Sequence, residues 1–164
     1  MKKILAAVQA VLFAAAALFL IVGVSNQFLD RPIEMPANAQ SGKTPSFAKA
    51  RKVLEADCLA CHSSKTVLPW YGKLPLAKQL IESDIEQAMH EMNLEKRLFA
   101  PGLKPSTHTL KEIRKEIVKD SMPPAIYKVV HWKSLLSPAD KAAILEWVDE
   151  ELAAAAPTDP SLNK

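Results

Sequence analysis

Cys58-Leu59-Ala60-Cys61-His62 puts two thiols and an imidazole into five consecutive residues. C-x-x-C-H is the spacing by which a polypeptide holds a c-type haem. Two cysteines three positions apart on one helical turn can each bond a vinyl-derived carbon at the porphyrin edge, and the histidine that follows swings beneath the iron. Cys58 and Cys61 are therefore the candidate attachment points for one covalent haem c. His62 is the candidate proximal ligand.

Other chemistries of a cysteine pair fit the neighbouring residues less well. A thioredoxin-like C-x-x-C expects a βαβ context, whereas Phe47, Ala50, Val53 and Leu54 lead into the motif at helical spacing with no strand run before them. Structural zinc usually shows a second paired ligand motif, and the chain has only two cysteines and four histidines. A plain disulfide gives no reason for a histidine directly after the second cysteine.

A haem iron with one histidine leaves a sixth position to fill, and its ligand separates electron carriers from haem proteins that bind small molecules. The candidates are Met89, Met92, Met122, His90, His108 and His131. Met122 lies in Ser121-Met122-Pro123-Pro124, where the residue before proline is pushed out of the α region and its rigid successors fix where the thioether points. That favours Met122, with His131 as the second candidate. Met89 and Met92 sit on or near an apolar helical face where packing is the ordinary role, and His90 and His108 have exposed surroundings.

Four helical segments have to position these groups. The first runs from about Ser46 into Cys58. The second, from about Leu76 to Met92, carries Ala77, Leu80, Ile81, Ile85, Ala88, Met89 and Met92 on one face. The third begins at Thr109, capped by its hydroxyl with Glu112 reaching back, buries Leu110, Ile113 and Ile117, and ends before Pro123. The last opens on Ser137 as cap, Pro138 at the first helical position and Asp140 in the first turn, and buries Ile144, Trp147, Val148 and Leu152. No alternating run is long enough for a sheet, so the expected fold is all-α, a small helical domain around a covalent haem. Trp70 and Tyr71, soon after the motif, either wall the porphyrin or fill the core with a polar tip at the surface.

Met1-Lys2-Lys3 precedes an apolar run from Ile4 to Val24, about the length that crosses a bilayer. A secretory signal has a shorter apolar core and a small-residue site close behind it; Ala37-Asn38-Ala39 has that look but lies well beyond Val24. Residues 1–24 are thus read as an anchor, with a cleaved signal as the alternative, and Lys2 and Lys3 keep the N-terminus on the cytoplasmic side. Residues 25–45, broken by Pro32, Pro36, Gly42 and Pro45, read as a flexible linker able to reach up to ~70 Å. Residues 46–156 form one domain, and 157–164 a disordered tail. The formal net charge of +3 includes Lys2 and Lys3, so the remainder is nearly neutral and gives no sign of nucleic-acid binding.

The helix into Cys58-x-x-Cys61-His62, the later Met122-Pro123-Pro124 and the helix opened by Leu136-Ser137 resemble a small cytochrome c. More narrowly, Thr66 to Tyr71, Met92-Asn93-Leu94 and Met122 through Tyr127 to His131 are similar to the bacterial haem-binding domain family of exported monohaem proteins, over nearly all of Ser46 to Trp147. The long stretch between Lys65 and Asp120 departs from the most compact cytochromes. The resemblance implies His62 as proximal and Met122 as distal ligand. Family membership leaves the reaction open, and the sequence as a whole is read as a membrane-tethered, periplasm-facing monohaem c-type cytochrome that passes single electrons between redox partner proteins in or near the membrane. A haem-based sensor and a peroxidase-like haem protein are the alternatives. No acid/base pair, phosphate-cradling loop or nucleophile motif points to a hydrolase or transferase.

Overall fold

The computed structural model describes residues 1–37 and 44–155, and among these the chain is helical with no strand. The elements are α1 (Lys2–Leu29), α2 (Pro45–Val53), α3 (Leu59–His62), α4 (Pro75–Glu91), α5 (Leu94–Leu98), α6 (Thr107–Val118), α7 (Ala125–Val130) and α8 (Pro138–Ala155). The segments expected at Ala37-Asn38-Ala39 and 157–164 lie partly or wholly outside the described residues.

One half of the domain is a closed core where α2 and α6 pack on α8. Phe47 stands between Trp147, at 5.2 Å between ring centroids, and Phe99, at 6.2 Å. Leu54, Leu59, Leu98, Leu110, Ile144 and Val148 close around them, all fully buried. Phe47, Leu54, Leu110, Ile144, Trp147 and Val148 belong to apolar stripes read from the sequence, whereas Leu98 and Phe99 come from α5 and its end, a helix outside the four expected. The helix α8 starts as expected: Ser137 donates to Asp140 at 2.6 Å while the Asp140 amide donates back to Ser137 at 3.2 Å. The start of α6 differs. Ser106 is the cap and accepts from the Thr109 amide at 3.1 Å, so Thr109 lies inside the first turn, buried, and Glu112 pairs with Lys115 instead.

The reading of residues 25–45 as a flexible linker gives way over 25–36. The first strong helix breaker after the apolar run is Pro32, and α1 accordingly continues to Leu29. Beyond it the chain is tied down: the Ile33 amide donates to the Glu55 carbonyl at 2.9 Å and the Met35 amide to the Glu55 carboxylate at 2.9 Å. Arg51 grips the same carboxylate at 2.9 Å, donates to the Met35 carbonyl and lies 5.7 Å from the Phe99 ring centroid. Met35 is thereby drawn into the core.

Candidate functional site

The second half of the molecule surrounds a cavity of about 730 Å³, within the ordinary range for a bound cofactor. Four groups of residues make its wall, one of them Tyr127, Val130 and His131 from α7 and the turn after it. The end of α1 supplies Asn26, Leu29 and Asp30; the motif and the loop after it supply Ala60, Cys61 and Lys65 to Tyr71; and α4 faces them with Ala77, Leu80, Ile81 and Ile85. The apolar stripe of α4 was legible as a buried face, but no residue of α4 is fully buried. Its apolar stripe faces the cavity, while the helix also packs against α3 and the Trp70–Lys73 turn.

A π turn over Leu54–Cys58 lies between α2 and α3 and sets the register of the motif. Leu59 enters the core, Cys58 packs against the core edge, and Cys61 turns to the cavity. Burial, reinforced by Asp57 and Cys61, pushes the Cys58 thiol up to about 12. Cys61 is raised by burial and then by Asp84. Such thiols are the opposite of the low-pKa thiolates that redox-active cysteine pairs use.

His62 Nδ1 lies 2.7 Å from the Met92 carbonyl oxygen. A carbonyl only accepts, so Nδ1 carries the proton and Nε2 is the nitrogen left to bind a metal. Met92 thus reaches the site through its backbone, while its side chain packs against the core.

His131 is built into a different arrangement from that of a ligand. Its Nδ1 donates to Asp30 Oδ2 at 2.6 Å, its Nε2 accepts from the Tyr71 hydroxyl at 2.6 Å, and its ring stacks on Tyr127 at 3.9 Å between centroids with 6° between planes. Both nitrogens are engaged, and the residue lines the cavity. Tyr71 is raised by burial, with Asp30 and Cys61 adding to the shift and an Asn26 hydrogen bond offsetting part, so it keeps the proton it donates. Tyr127 is likewise raised, first by burial and then by Asp30 and Cys61.

Met122 is half-buried beside a buried Pro123 and is not among the residues lining the cavity. Met89 is half-buried on α4, and His90 and His108 are exposed. The sequence reading missed Asp30, Asn26 and Tyr127. The available signal was Ser25-Asn26-Gln27 running on from an apolar helix with no breaker before Pro32, which extends α1 and carries Asn26 and Asp30 to the domain.

An all-α domain with C-x-x-C-H beside an apolar cavity, and an imidazole whose second nitrogen is pinned by a carbonyl, suits a haem: Cys61 lines the cavity with α4 and the 65–71 loop as walls, whereas Cys58 and His62 are not among the lining residues. The family model described as a haem-binding domain matches residues 18–150, and the chain belongs to that family. Over 123 residues it is 31% identical to a protein of Escherichia coli (strain K12) named cytochrome c peroxidase Ccp, an alignment covering 74% of this chain. The chain spans about a quarter of that relative's length, the alignment covering 25% of it. No solved structure matches the chain significantly.

Proposed function

We propose that the chain is a membrane-tethered monohaem c-type cytochrome that carries single electrons on the periplasmic side. The observation that carries this reading is the His62–Met92 hydrogen bond beside an apolar cavity reached by Cys61. When bound, haem supplies one-electron chemistry at its iron. The chain's residues do the rest. Cys58 and Cys61 attach the porphyrin edge, and the Met92 carbonyl fixes the ring and tautomer of His62 and raises its basicity. Ile81, Ile85, Leu68 and Tyr71 exclude water, while Arg31 and Lys65 in the wall are cations for the porphyrin carboxylates. Met122 is the proposed sixth ligand, on the ground of its proline-stiffened loop. Redox partner proteins in or near the membrane are the proposed donors and acceptors.

For location, α1 is a 28-residue apolar helix long enough to cross a membrane, a test that a signal sequence also passes. We read it as the anchor because its last turns are part of the domain: Gly23 and Asn26 are buried there.

One observation favours a second reading, a peroxidase-like haem protein with an open sixth position. Among the described residues the cavity wall carries Tyr71, Tyr127 and His131 but no methionine, and the curated relative is named a peroxidase. The test is full-length protein from cells with a c-type maturation system. Haem mass retained on the denatured polypeptide and a reduced spectrum unchanged by carbon monoxide support the carrier; no added haem mass refutes covalent attachment. Ready carbon monoxide binding with turnover of peroxide moves the assignment to the second reading.

A further inference from the structure

The length of α1 that stands free of the domain fixes where the domain must sit. Every residue from Met1 to Ile21 is exposed, and burial begins at Val22 and Gly23. The free part of the helix, about 20 residues, is about 30 Å long, the thickness of the hydrocarbon core. No apolar helix is left over to hold the domain away from the bilayer. With α1 inserted, the face around Gly23 lies at the level of the headgroups.

The residues on that face are those that favour a membrane interface. Trp132 packs on Gly23 so closely that an added Cβ would come within 2.6 Å of its ring, and Trp70 Nε1 donates to Ser25 Oγ at 3.0 Å. Both indoles remain partly exposed, 37% and 40%. Each sits in a short 3-10 turn that also carries a lysine, Lys73 in Trp70–Lys73 and Lys133 in Trp132–Ser134. Tryptophan and lysine are the side chains enriched where hydrocarbon gives way to headgroups. Around them Leu74, Val129 and Leu135 expose large apolar side chains, 47%, 44% and 54%. The third tryptophan, Trp147, is fully buried in the closed core.

We infer that this face, centred on Trp70 and Trp132 around the exit of α1, is a lipid-contacting surface that seats the domain on the bilayer, with both indoles among the headgroups. The inference rests on α1 spanning the membrane. It makes the bilayer the occupant of the apolar face, because the face is continuous with the anchor and the free helix is no longer than the hydrocarbon.

The test uses the full-length, haem-loaded protein in vesicles of phosphatidylethanolamine and phosphatidylglycerol containing a phospholipid with a diazirine near the glycerol end of one acyl chain. After illumination, lipid adducts are mapped by mass spectrometry. Adducts are expected on peptides carrying Trp70–Leu74 and Val129–Leu135 as well as on α1, at several times the level on the peptide with Val118. That residue is 59% exposed on α6, which packs on α8, and serves as the internal reference. The double variant Leu74→Glu and Val129→Glu should lower adducts on both peptides several-fold with α1 still labelled and haem content unchanged. Adducts confined to α1 overturn the inference, as do cross-links joining the same two peptides between copies, which assign the face to a second chain. An unlabelled α1 in protein that does not sediment with vesicles overturns the anchor reading itself.

Discussion

Asp30 and His131, 101 residues apart in sequence, are joined by a 2.6 Å hydrogen bond. The bond ties the first residue after α1 to the residue after α7, and the Tyr71 hydroxyl extends it to the loop behind the haem motif. Three separate parts of the chain therefore meet on one imidazole at the cavity wall.

Removing that imidazole leaves a buried hydroxyl and a carboxylate without their partner, which costs about 1–3 kcal/mol per group. His131→Ala is expected to destabilise the haem-loaded protein by about 2–4 kcal/mol in chemical unfolding, with the iron ligation spectrum unchanged. Asp30→Asn keeps the shape and should cost less. A spectrum altered by His131→Ala at full stability would show that the histidine binds iron and that its two hydrogen bonds do not describe the loaded site.

The legible part of this fold is what short-range pattern decides. Ser137 and Asp140 cap α8 as their spacing requires, and Leu110, Ile113 and Ile117 are buried as the helical period requires. The start of α6 was ambiguous because Ser106 and Thr109 are both good caps three residues apart, and their oxygens lie 3.0 Å from each other. The cysteine pair and His62 were legible because the motif is contiguous. Met92 as the carbonyl partner of His62 was not, since any residue offers a carbonyl and only the fold selects one. The same holds for Asp30 and His131, whose meeting depends on α1 overrunning its apolar stretch.

The face of α4 gives a second expectation. Leu80 remains 52% exposed although it lies on the apolar stripe, so α4 depends on what fills the cavity. In a Cys58→Ala, Cys61→Ala variant made without haem, amide hydrogens of α4 should exchange close to the rate of unprotected chain, while those of α2, α6 and α8 stay protected. Equal protection of α4 and α8 in that variant would mean that the cavity does not need an occupant.

Asp57 supplies a pH dependence. Burial, with a smaller contribution from Asp140 and partly offset by a Ser134 hydrogen bond, pushes its carboxyl from the ordinary 3.8 up to about 6. An acid that binds its proton more tightly when folded contributes stability that is complete below its unfolded value and disappears as pH rises through its folded value. The window is therefore between about 3.8 and about 6, and at neutral pH the ionised group is a cost. Because the carboxyl keeps contact with water, that cost is on the order of 1 kcal/mol, below the full linkage value. Asp57→Asn should raise unfolding free energy at pH 7 by about that amount and leave it unchanged at pH 4. An equal effect at both pH values would place the stabilisation elsewhere.

Met122 decides between the two readings of the site. Its side chain is half-buried, the proline after it is buried, and Lys128 ties the neighbouring Asp120 carbonyl at 3.1 Å, so the loop has fixed points on both sides of the thioether. If the sulfur is the sixth ligand, the oxidised protein shows the weak long-wavelength band of a histidine–methionine haem. Met122→Ala then abolishes the band, lowers the reduction potential and lets carbon monoxide bind, because a soft thioether stabilises the reduced iron and blocks the position. Met89→Ala, on α4, should leave all three properties in place and act as the control. A wild-type protein that lacks the band and binds carbon monoxide as readily as Met122→Ala would remove Met122 from the site and favour a haem protein working at an open position beside Tyr71, Tyr127 and His131.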